Sequence, residues 1–262
     1  MGNKLSIEQK IKYEKIGYIK NIPLYNKFEI QAIQNKLSKL INKLPKDISI
    51  HEINNWHKCN KWFWELGSNN IMLNYVQQLI GNDFFQWGGQ IFIKYPGDNT
   101  QIPWHQDAYY WPLKPNKTIS IWLAIYDTNE NNGGLKVIPY SHKKGLLKHL
   151  NKKDNNLVLK KEAVLSTSQK NCFEYIDLKA GEVSIHDPYI LHSSGKNNSK
   201  TTRCGLVMRF SPTKVKCDLN IWPTFEAYLR RGSDNYKLNP IGKIPRKNQF
   251  PIRKFQHSSE FN

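Results

Sequence analysis

Residues 181–213, GEVSIHDPYILHSSGKNNSKTTRCGLVMRFSPT, hold two short runs rich in β-branched and aromatic residues. Each is bounded by turn formers, Ala180–Gly181 before the first and a polar Lys/Asn/Ser/Thr stretch between them. That composition predicts strands. The same character recurs upstream in FQWGGQIFIKYPG (85–97), TISIWLAIYDT (118–128), GLKVIPYSH (134–142) and FEYIDL (173–178). Pro96–Gly97 and Asn132–Gly133–Gly134 punctuate these runs. Many short strands with such punctuation predict a mainly β sandwich or barrel.

The first 81 residues differ. Residues 6–17 and 26–44 carry apolar side chains at helical spacing, the second through Ile30, Ile33, Leu37, Leu40, Ile41 and Leu44. Gly17 is placed to end the first helix, GYIKNIPL (17–24) reads as a short strand, and residues 69–81 predict a further helix ended by Gly81. Residues 46–68 read as irregular, with Trp56, Trp62 and Trp64 packing a lid or outer layer. The expected organisation is one domain over 1–262, with helical support in 1–81, a barrel core in 82–218 and a C-terminal extension in 219–262. The tail from about residue 240, with Pro240, Pro245 and Pro251, is expected to be loosely held.

The 39 Lys and Arg against 21 Asp and Glu give a formal charge of +18. The excess is mostly lysine scattered among asparagine and isoleucine, the pattern of AT-rich coding. A solvated basic surface, attractive to small anions, is expected rather than a nucleic-acid face, since no zinc-finger, RNP or helix-turn-helix signature accompanies it. Cys59, Cys172, Cys204 and Cys217 lack CxxC spacing and read as reduced thiols. No apolar run approaches the ~18–20 residues of a membrane span, and no secretory signal opens the chain. A cytoplasmic monomer or homodimer is the expectation. MGNKLS (1–6) matches an N-myristoylation pattern at Gly2, relevant only to a eukaryotic or viral chain; Ser6 with Gln9 also reads as a capping box.

The chemistry begins at WHQDAYYW (104–111). His105 and Asp107, two apart, would share one face of an extended strand. His192 lies 85 residues beyond Asp107, in the run that opened this section. Two imidazoles and one carboxylate make the facial triad of non-haem Fe(II) oxygenases, leaving positions for a chelating co-substrate and O2. Arg203 follows His192 by 11 residues, on the next strand; its planar fork suits the far carboxylate of 2-oxoglutarate. Arg209 falls on the same strand face as Arg203 and reads either as counter-ion to an anionic substrate or as a rim salt bridge. His142 reads as a loop-ordering residue and His186 as structural, because adjacent His186 and Asp187 point to opposite strand faces.

These segments resemble the phytanoyl-CoA dioxygenase-like family of Fe(II)/2-oxoglutarate oxygenases. The resemblance covers most of the chain, from YEKIGYIKNIPLYNKFEIQAIQNKL (13–37) through PWHQDAYYWPL (103–113) and SIWLAIYDTNENNGGLKVIPYSHKKG (120–145) to LKAGEVSIHDPYILHSSGKNNSKTTRCGLVMRFSP (178–212) and YLRRGSD (228–234). It implies a double-stranded β-helix, the jelly-roll barrel, with supporting N-terminal helices. It maps His105, Asp107 and His192 onto the iron ligands and Arg203 onto the anchor of the 2-oxoglutarate C5 carboxylate. Ser194 matches a position that adds a hydroxyl to that carboxylate, and Trp122 and Gln90 match positions lining the co-substrate side. The retained Asp107 implies oxygen transfer rather than halogenation, and ascorbate is expected to stimulate the reaction. For the substrate pocket the candidates are Trp111, Tyr109, Tyr110, Arg209 and Lys94. Left open are the substrate, an oxidative demethylase acting on nucleic acid or protein, desaturation, ring closure or C–P or C–N oxidation in place of hydroxylation, and a non-catalytic jelly-roll binding protein.

Overall fold

Ser6 caps the first helix, α1 (Ile7–Ile16), in a full capping box with Gln9, and Gly17 at φ 89° turns the chain straight into β1 (Tyr18–Pro23). A residue with a Cβ resists that left-handed turn. Asn26 and Glu29 cap α2 (Lys27–Ile41), which buries Ile30, Ile33 and Leu37. The helix stops three residues short of Leu44. The stretch read as irregular contains α3 (Lys61–Leu66), capped by Asn60, and α4 (Asn70–Ile80) follows. The computed structural model describes residues 4–45, 50 and 53–251, so Gly2 lies outside the described residues.

The rest of the chain is mainly strand. In order come β2 (Phe84–Lys94), β3 (Ile102–His105), β4 (Leu113–Lys114), β5 (Ile119–Ala124), β6 (Leu135–Ile138), β7 (His149–Asn151) and β8 (Lys161–Ala163). A short helix, α5 (Thr167–Asn171), precedes β9 (Glu174–Ile176), β10 (Glu182–His186), β11 (Leu191–Ser194), β12 (Arg203–Pro212), β13 (Lys216–Cys217) and β14 (Tyr228–Arg231). Two main antiparallel sheets result, β1-β10-β5-β12-β2-β14 and β3-β11-β6-β9, with the two-stranded pairs β13-β4 and β7-β8 beside them. Their inner faces meet as a double-stranded β-helix: Trp122, Ala124 and Val207 of the large sheet pack on Leu135, Val137 and Ile176 of the small one.

Strand β12 shows how period-2 alternation builds this. Cys204, Leu206, Met208 and Phe210 join the core shared with α2 and α4, while Val207 faces the barrel interior. Arg203 and Arg209 share the inner face. Because both faces are buried, the strand reads as an almost unbroken apolar run with two cations set into it.

Gly205 has a specific reason to be glycine. A Cβ there would lie 2.0 Å from the Trp122 ring. Gly205→Ala is therefore expected to cost about 1–3 kcal/mol through overpacking, read from the denaturant midpoint. An unchanged midpoint would mean the indole has room to move.

Three further features depart from the sequence reading. The large sheet takes an edge strand from each flanking region, β1 from the helical segment and β14 from the C-terminal one. Trp56 and Trp62 lie in the main core, whereas Trp64 lies under the Arg230 guanidinium, 3.4 Å from its ring centre. Residues 240–251 are not loose: Ala227 N–H donates to Pro240, Lys61 N–H to Lys247 and Gln249 N–H to Cys59, and Phe250 packs on the core. Backbone pairing fixes this segment despite its prolines and charge. All four cysteines are unpaired, and no helix among the described residues is long and apolar enough to cross a membrane.

Candidate metal and co-substrate site

His105 is the last residue of β3, and His192 sits opposite it in the register of β11. Their ring centres are 4.0 Å apart. Asp107 comes just after the strand, as the first residue of a 3-10 turn, Asp107–Tyr109. The expected same-face placement holds, although Asp107 itself is not in extended backbone. The intervening Gln106 enables this, since its side chain donates to Gly145 O and Tyr189 O and accepts from Leu147 N.

The donor atoms converge. Asp107 Oδ1 lies 3.7 Å from His105 Nε2 and 3.8 Å from His192 Nε2. The ligand atoms of all three residues fall within 4.8 Å of one another. Each imidazole is oriented by a local contact, His105 Nδ1 to Pro103 O at 2.9 Å and His192 Nδ1 to Ile190 O at 3.0 Å. A carbonyl only accepts, so both Nδ1 atoms carry the proton and both Nε2 lone pairs are free to bind metal. Burial and the neighbouring His105 hold His192 well below the usual imidazole range, keeping it neutral. Burial pushes the Asp107 carboxyl up, but His105, His186, His192 and Arg209 together outweigh it and hold it well below the usual carboxylate range. Two imidazole nitrogens and one carboxylate oxygen, all buried, fit a divalent first-row metal.

Two further residues, Ser120 and His186, meet Asp107 at this end of the pocket. The Ser120 hydroxyl donates to Asp107 Oδ2 at 3.2 Å, leaving Oδ1 for the metal. His186 Nε2 lies 3.8 Å from the same Oδ2, so His186 is a wall of the site and not a structural residue remote from it. The cross-strand register explains both: Ser120 pairs with His186 on one side and Arg209 on the other. Sequence spacing alone carries no such cross-strand information. Asp187 points elsewhere and accepts from Tyr189 N–H, as the alternation argument expected. His142 approaches Glu14 O at 3.2 Å, consistent with its loop role. Ser120→Ala is expected to weaken Co(II) binding roughly tenfold, the usual scale for a residue that orients a ligand. Titration of Co(II) by its visible absorption checks this, and unchanged affinity would remove Ser120 from the site.

The pocket, with an empty volume of about 760 Å³ including its mouth, runs between the sheets. Arg203 lines it and is only 2% exposed. Its guanidinium stacks 4.7 Å from the Trp122 ring centre, and its Nε and Nη1 have no hydrogen-bond partner. Burial pushes Arg203 down to about 10, which still leaves it charged at neutral pH. A buried cation with idle donors is costly unless an anion completes it. Ser194 also lines the pocket.

The remaining candidates divide. Tyr110, Trp111 and Arg209 line the pocket, with Arg209 lying 5.2 Å over Trp111 and 5.8 Å over Trp87. Tyr109 does not; it stacks on His149 at 4.0 Å, outside the cavity. Gln90 pairs with Val207 on the inner face and its Oε1 is buried without a partner, but it is not among the lining residues. Lys94 also stands behind the wall, donating to Ser194 Oγ at 3.0 Å. Val158 and Leu159 close the pocket from a segment to which the sequence reading gave no role.

Comparison with known proteins bears on family and fold. Residues 13–205 match the family model described as phytanoyl-CoA dioxygenase (PhyH). The peroxisomal phytanoyl-CoA dioxygenase of Bos taurus is 22% identical over 235 residues, covering 80% of this chain and 69% of its own. A probable phytanoyl-CoA dioxygenase of Caenorhabditis elegans is 29% identical over 258 residues, covering 87% and 82%. Among solved structures, the apo form of the non-heme monooxygenase ThoJ superposes with a TM-score of 0.76 at 20% identity, over 92% of this chain and 89% of that one.

Proposed function

Because the chain belongs to the phytanoyl-CoA dioxygenase family of Fe(II)- and 2-oxoglutarate-dependent oxygenases, we propose that it oxidises an unactivated C–H of a small-to-medium anionic metabolite, releasing succinate and CO2. One observation carries this reading: His105, Asp107 and His192 line the same pocket as a buried arginine with unsatisfied donors. Iron(II), when held by those three residues, supplies a Lewis acid with positions for a 2-oxo acid and O2, and the oxidising chemistry follows from that cofactor.

The protein's part is positioning and exclusion. Arg203 and Ser194 fix the distal carboxylate of 2-oxoglutarate, while Ser120 and the Nδ1 contacts fix the ligands. Tyr110, Trp111, Phe92, Val158 and Leu159 keep water from the reacting centre. Arg209, set over Trp111, offers a charge to an anionic group of the substrate. The purified protein with Fe(II), ascorbate and 2-oxoglutarate should form succinate, and a panel of small carboxylates and phosph(on)ates should raise that rate above background. Succinate formation no greater than in a metal-free control would overturn the reading.

A further inference from the structure

Lys94 and Arg203 are direct partners across the β2–β12 pair, and both are buried. Like charges set opposite each other in a sheet are destabilising. Among the described residues no carboxylate is in ion-pair contact with either. Burial, and after it the Arg203 charge, push Lys94 down to about 7. An arrangement of this kind persists when an anion completes it.

The details of Lys94 say how. An anion held against this wall favours the protonated form of Lys94, and an ammonium has three N–H groups and no acceptor. Here all three have acceptors: Thr100 O at 2.9 Å, Ser194 Oγ at 3.0 Å, and Gly195 O. Lys94 therefore has no donor left for a ligand. It does fix the polarity of Ser194: having accepted from Lys94, the hydroxyl has its own proton to give, and no described residue takes it. Ser194 and Arg203 line the same pocket, so that proton is available to an anion there.

We propose that Lys94 is a positioning residue for the co-substrate, making Ser194 an obligate donor to the distal carboxylate of 2-oxoglutarate and adding a second positive charge behind it. Lys94 is then no part of the substrate pocket. This rests on the 2-oxoglutarate reading above, and the choice of probes keeps the two separable.

The probes are 2-oxoglutarate and 2-oxopentanoate, which share the metal-chelating end but differ in whether the far end carries a carboxylate. Binding to the Co(II)-loaded protein is measured by calorimetry. Lys94→Met should weaken 2-oxoglutarate roughly tenfold, the scale of one hydrogen bond to a charged group, and leave 2-oxopentanoate unchanged. In a Ser194→Ala background the Lys94→Met effect should shrink markedly, since the two act as a unit. Lys94→Gln, which can still donate to the backbone carbonyls but carries no charge, should show the same selective loss if the Met variant folds poorly. Equal weakening of both acids, no weakening of either, or an undiminished effect in the Ser194→Ala background would overturn the proposal. A wild-type protein that holds the two acids equally would overturn the co-substrate reading, and this inference with it.

Discussion

Replacing His192 with alanine is expected to reduce Fe(II)-dependent succinate formation by about 1000-fold or more. His192 lies mid-barrel, held in register by His105 on one side and Val137 on the other, with its Nδ1 tied to Ile190 O. No other described imidazole stands ready to replace it: His186 faces the opposite carboxylate oxygen, Oδ2. A catalytic metal contributes several kcal/mol to the reaction, and each 1.4 kcal/mol is a factor of ten. Losing one of three protein ligands takes away both the metal and that contribution. The fold should survive, because the small-sheet pairing runs through backbone groups that alanine retains. Co(II) titration and far-UV dichroism distinguish loss of the metal from loss of the barrel. Full turnover in this variant would show that the chemistry takes place elsewhere.

Arg203→Met should raise the KM for 2-oxoglutarate by roughly 100-fold, as expected when a buried, charge-assisted fork is removed, while kcat at saturating co-substrate falls much less. The stability change should have the opposite sign. Arg203 is a fully buried cation with two idle nitrogens, and the adjacent Lys94 repels it. Methionine has a similar length and carries neither cost. Replacing buried charge with apolar volume is often neutral or stabilising. The melting temperature of the variant without ligand should therefore hold or rise as co-substrate affinity collapses. A variant that loses stability and keeps its KM would mark Arg203 as structural.

Some of this protein was legible from spacing alone. Strand composition and turn punctuation gave the mainly β architecture, because both reflect local backbone preference. Ser6 with Gln9 and Gly17 marked the ends of α1, because caps are local contacts. His105, Asp107, His192 and Arg203 could be singled out because a metal and a dicarboxylate demand particular residue types at workable separations. The even–odd alternation of β12 set Arg203 and Arg209 on one face before any coordinates.

What only the tertiary structure decided depends on register between strands distant in sequence. Ser120 meets Asp107 because β5 lies between β10 and β12, and the same pairing turns His186 from a presumed structural residue into a wall of the site. Lys94 stands behind Ser194 because β2 pairs with β12 in one particular alignment, and a shift of one residue would have sent it to the other face. Residues 240–251 are ordered by backbone bonds to Cys59, Lys61 and Ala227, which their composition does not encode. Sequence names the groups that can do the chemistry; cross-strand register decides which neighbours orient, neutralise and charge them.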